Sequence, residues 1–143
     1  MADWIEKNFS EKLILTQKAE AALKAGVYEN IPLLCDAIRC LAVQFNDFAD
    51  KRITFDEYAI CLKAYGLEHR GDSAESAKHT YISYKPEYPE GSGRYVEVRM
   101  HLRTNTDKSY DKHDPRGVLR IYFTYDDELK KVVIHHLPSH LPI

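Results

Sequence analysis

Arginine, histidine and tyrosine are the residues of this chain best suited to grip an anion or move a proton, and they concentrate late in the sequence. All seven histidines and seven of the ten tyrosines fall after residue 67. There they recur at alternate positions of extended segments: His79 and Tyr81, then Tyr95, Arg99, His101 and Arg103, then Arg120 and Tyr122, and finally His135. A period of two sends such side chains to one face of a strand. Guanidinium groups make paired hydrogen bonds to carboxylate or phosphate. Aromatic rings stack on bases, and imidazoles serve as acid or base near neutral pH. The competing reading is a solvated sheet face, on which long Arg and Tyr side chains cover the strands and pair with acids such as Glu97.

Three further stretches hold reactive residue types. Thr104–Arg116 is long for a connection between neighbouring strands, and long loops are often functional. It carries Lys112, His113 and Arg116 as binding candidates. Ser109, His113 and Asp114 make no hydrolase triad on sequence grounds, because the GxSxG context is absent. In the tail, His135 and His136 are adjacent on a strand and expected to face opposite ways. His136 and His140 can approach one metal, but further ligands to complete a zinc site are missing. Asn46, Asp50 and Glu57 mimic part of a calcium loop, yet Phe48 and Lys51 stand at a ligand position and at the turn glycine. No metal and no cofactor is therefore expected. Cys35, Cys40 and Cys61 are odd in number, lack CxxC spacing and sit on apolar faces, as buried reduced thiols do.

The elements that position these residues follow from periodicity. The sequence predicts a helix over Glu11–Ala25, capped by Ser10 and closed by Gly26. A second is predicted from Asn30, with Pro32 in its first turn and Ile31, Leu34, Cys35, Ile38, Leu41, Ala42, Phe45 and Phe48 on one face. A third opens on the capping box Thr54-Phe55-Asp56-Glu57 and ends at Gly66. From His79 the period changes to two. Strands are predicted at His79–Lys85, Arg94–Arg103, Val118–Tyr125 and Lys131–Leu137. Val132, Val133 and Ile134 suggest that the last is covered on both faces. The expected fold is α+β, a single domain in which an N-terminal three-helix segment (residues 1–67) packs on one face of a C-terminal four-stranded antiparallel sheet (residues 78–143).

At 143 residues, 44% of them hydrophobic, the chain has enough apolar material for a core. A net charge of −2 gives no global pull toward nucleic acid or anionic lipid. No apolar run approaches the roughly 20 residues of a membrane span, and residues 1–7 do not read as a signal peptide. The pattern predicts a cytoplasmic protein with no membrane contact.

The C-terminal hairpin runs Leu119-Arg120-Ile121-Tyr122-Phe123-Thr124-Tyr125, an acidic turn Asp126-Asp127-Glu128, then Lys131-Val132-Val133-Ile134-His135-His136-Leu137. It resembles the closing hairpin of RelE/ParE-like toxins, which has an arginine-led strand, an acidic turn, an apolar strand and a histidine near the end. The resemblance implies metal-independent cleavage of RNA, with Arg120, Tyr122, His135 and His140 as the catalytic residues. Without it, the residues point to a small binding or accessory module with a protein partner, acting through the face that carries His79, Tyr81, Tyr95, Arg99, His101 and Arg103. RNA is the alternative ligand, and whether the chain is an enzyme is left open by its motifs.

Overall fold

The structure is a computed structural model and describes residues 1–71, 84–104 and 114–139. Helix α1 (Ala2–Phe9) leads to a short strand β1 (Leu13–Leu15) and helix α2 (Gln17–Ala25). Helix α3 (Ile31–Cys40) runs through a π-helical turn (Leu41–Phe45) into α4 (Asn46–Ala49), and α5 spans Phe55–Ala64. Strands β2 (Leu67–Gly71), β3 (Met100–Thr104), β4 (Arg120–Asp126) and β5 (Lys131–His136) follow. The α+β class is as expected, but the sheet is five-stranded and mixed, in the order β1-β5-β4-β3-β2. Among the described strands only β1 runs parallel to its neighbour, with Leu13 opposite Val132 and Leu15 opposite Ile134.

One of these strands replaces part of a predicted helix, and another forms where no element was predicted. The helix expected over Glu11–Ala25 is broken, because Leu13-Ile14-Leu15 alternates and pairs with β5. Thr16 is the pivot. Its backbone is extended, its N–H donates to the Ile134 carbonyl at 3.2 Å, and its Oγ1 accepts from Ala19 N at 3.1 Å, capping α2. Ser10, the expected cap, instead ends α1. Gly26 closes α2 with φ −71 rather than in the left-handed region; a Cβ there would lie 2.7 Å from the Pro138 ring. Strand β2 begins directly after Gly66, whose φ of +73 ends α5 as expected. The predicted strand His79–Lys85 falls mostly outside the described residues, and its described end, Tyr84 and Lys85, is not a strand. Of the predicted strand Arg94–Arg103, only the part from Met100 joins the sheet.

The helices cover one face of the sheet. Leu34, Ile38 and Leu41 pack with Leu13, Leu102, Ile121, Phe123, Val132 and Ile134. Phe45 centres an aromatic cluster, with ring centroids 5.0 Å from Phe123, 5.4 Å from Tyr58 and 6.0 Å from His69. The π turn admits an extra residue, and two consecutive side chains, Phe45 and Asn46, are both buried. Asn46 Nδ2 donates to the carbonyls of Lys12 (3.3 Å) and Lys130 (3.1 Å), tying β1 to the β4–β5 turn. The capping box on α5 forms as the sequence predicts.

Candidate functional site

The second face of the sheet carries His101, Arg103, Arg120, Tyr122 and His135 of the predicted residues, and it is not an open solvated surface. Residues 84–98 fold back as an irregular hairpin, through Tyr88 N to Arg94 O (2.8 Å), Val96 N to Pro86 O (3.0 Å) and Val98 N to Tyr84 O (2.8 Å). Two clamps hold it. The Tyr88 hydroxyl donates to Asp126 Oδ2 at 2.6 Å, beside the β4–β5 turn. Glu90 accepts from Gln17 N at 2.8 Å and Lys18 N at 3.3 Å, supplying a carboxylate to the first turn of α2. At the hairpin tip, Glu87 accepts from the amides of Gly91 and Gly93, and these bonds lower its pKa. Val98, Val133 and Tyr122 are buried but lie outside the main core, so this side of the sheet has a small apolar layer of its own.

Register assigns the functional side chains to two rows. Arg70 lies opposite His101, His101 opposite Tyr122, and Tyr122 opposite His136. The neighbouring row is Glu68, Arg103 and Arg120. The middle of the first row is shielded from water. His101 is 7% exposed and Tyr122 2%, with their rings stacked at 5.1 Å. Their expected exposure is thus corrected, because residues on both faces of β4 are packed.

His135 is likewise only 2% exposed. It shares a 2.8 Å hydrogen bond with Thr124 Oγ1, and its ring meets Tyr88 edge-on at 5.9 Å. A register shift leaves His135 without an opposite residue in β4. In consequence His135 contacts Thr124 while His136 contacts Tyr122, two residues on one face, so these histidines do not point apart as simple alternation predicts. No cluster of metal-ligating side chains occurs among the described residues.

Burial fixes the protonation of these groups. Loss of hydration lowers the His101 pKa to about 3, with Arg120, Arg103, His69 and Arg70 adding to the effect. Burial alone lowers His135 to about 4. Both imidazoles are neutral at pH 7. Tyr88 is raised by burial and by its bond to Asp126, so its phenol keeps its proton.

The second row reaches solvent. Arg103 Nε lies 2.7 Å from Glu68 Oε1, and Arg70 Nη2 lies 3.2 Å from the same oxygen. Arg120, half-buried, donates from Nη1 to its own neighbour's carbonyl, Leu119 O, at 2.9 Å. Burial and then Arg103 lower its pKa. The structure therefore brings Arg103, Arg120, His101 and Tyr122 together, with His135 further along the same face. Tyr95 is 67% exposed on the hairpin and Arg99 is exposed near its base. Arg116 pairs with Asp114 at 2.7 Å. His79, Tyr81, Lys112, His113 and His140 lie outside the described residues. Glu68 and Arg70 were missed: Leu67–Gly71 is a short strand with only a brief alternation, directly after a helix.

Comparison with known protein families, characterised proteins and solved structures finds no match to the chain. Among the described residues no helix is long and apolar enough to cross a membrane.

Proposed function

We propose that the chain is a binding module that engages an acidic partner through the corner formed by Arg70, Arg103 and Arg120. One observation carries this reading. Of three guanidiniums on neighbouring positions of β2, β3 and β4, Arg70 and Arg103 share the Glu68 carboxylate and Arg120 donates to a backbone carbonyl, among the described residues. Such a corner favours an incoming anion, because each guanidinium presents a planar fork of donors. The nuclease reading has less support. Acid–base work near neutral pH needs groups that exchange protons there, whereas His101 and His135 are held neutral and Tyr122 and His135 are almost fully covered.

The test is capture of partners from the native host by the immobilised chain, alongside an Arg120→Glu variant. The expected result is a partner retained at low salt, released as salt is raised, and lost with the variant. Equal capture by both proteins, or capture indifferent to salt, would refute the proposal.

A further inference from the structure

The guanidinium corner has a charge and a shape that select among anions. Arg103 and Arg120 are register partners on adjacent strands, and like charges directly opposite one another are unfavourable. Glu68 relieves this for Arg103 and Arg70 through a single oxygen, while Arg120 turns to the Leu119 carbonyl. The corner thus holds two more positive than negative charges among its described residues. His101 lies between Arg70 and Tyr122 in register, is 7% exposed, and has an Nδ1 with no hydrogen-bond partner among the described residues. The residue that carries this atom is flanked by the guanidiniums of Arg70, Arg103 and Arg120.

We infer that this corner binds a phosphate monoester, with Arg70, Arg103 and Arg120 as its donors and Glu68 as the internal anion with which it competes. The inference rests on the proposed anion-binding role and names the ligand's chemistry. A monoester carries a charge of about −1.5 to −2 at neutral pH with three acceptor oxygens, which matches both the excess charge and the number of guanidiniums. A carboxylate brings a single charge and duplicates what Glu68 already supplies. A phosphodiester chain is bound along an extended cationic track with exposed rings for its bases. Here the cations sit within one corner, and the rings of the adjoining row, His101 and Tyr122, are buried.

The test is calorimetric titration of the intact chain with five probes: inorganic phosphate, glycerol 3-phosphate, a peptide with one phosphoserine, the same peptide with glutamate in its place, and a single-stranded RNA oligonucleotide. Binding of phosphate and of either monoester, well above the glutamate peptide, is the expected result. The tighter of glycerol 3-phosphate and the phosphopeptide then tells whether the source is a small metabolite or a protein. Arg120→Gln should weaken the tighter monoester by about tenfold or more, as loss of a charged hydrogen bond does. Glu68→Gln should strengthen it, a gain that a merely structural role would not produce. Should Arg120→Gln not fold, Arg120→Lys keeps the charge, loses the fork and should still weaken binding. Equal binding of glutamate and phosphoserine peptides would overturn the phosphate assignment while leaving an acidic-partner surface intact. Tightest binding to RNA, or Glu68→Gln without gain, would also overturn it. No binding by any probe would remove both this inference and the anion-binding role.

Discussion

Acidification from pH 7 to pH 5 should destabilise this protein through two buried histidines. In the unfolded chain an imidazole has a pKa near 6.5; in the fold His101 falls to about 3 and His135 to about 4. The unfolded state therefore binds more protons between those limits, and stability falls as pH falls through 6.5 toward the folded values. At pH 5 both folded histidines are still neutral, so each site disfavours the fold by (6.5 − 5) times ~1.36 kcal/mol, or ~2 kcal/mol. The two together cost ~4 kcal/mol, a large share of the ~5–15 kcal/mol typical of a domain. The assay is urea unfolding at pH 7, 6 and 5 for the wild type, His101→Gln, His135→Gln and the double variant, with stabilities extrapolated to zero urea. Each single variant should remove its own ~2 kcal/mol of the pH-dependent loss, whatever its effect at pH 7, and the double variant both contributions. A double variant that retains the wild-type slope between pH 7 and pH 5 would refute the assignment of buried, neutral histidines.

Two further outcomes test how the second face is assembled. Tyr88→Phe removes a 2.6 Å bond to a carboxylate and should cost ~1–2 kcal/mol, discounted for partial solvent access. It should also speed amide exchange at Val96 and Val98 more than in β4, measured by NMR; uniform change would mean the hairpin is not clamped there. Gly71→Ala should destabilise by several kcal/mol, on the order of ~3, in a urea titration. Its φ is +98, and an added Cβ would collide with the Arg99 carbonyl oxygen.

The sequence made the strongly periodic elements legible. The stripe from Ile31 to Phe48 and the capping box at Thr54 are local patterns, and local patterns survive folding. The alternation of β4 and β5 was readable for the same reason. What it hid was set by tertiary contact. Leu13-Ile14-Leu15 is too short to announce a strand and acquires that identity only by pairing with β5. Leu67–Gly71 depends likewise on β3. At the site, Arg103, His101, Arg120 and Tyr122 were identified as one face, and register unites them. The burial of His101, Tyr122 and His135 was not legible; at His135 it involves the hairpin, whose Tyr88 ring meets the imidazole and whose clamps, Tyr88 to Asp126 and Glu90 to α2, join residues far apart in the chain.

The parallel pairing of β1 with β5 also bears on how the chain reaches this state. Leu13 and Val132 are about 120 residues apart, so β1 has no neighbouring strand until β5 has been made. During synthesis β1 emerges before β5 and must wait, its Leu13 and Leu15 unsheltered, while the residues between them follow. Contacts of such long range slow folding and prolong exposure of apolar edges. The α3–α5 segment, built from local contacts, is the part able to organise ahead of them, leaving closure of the sheet by β1 as a late event.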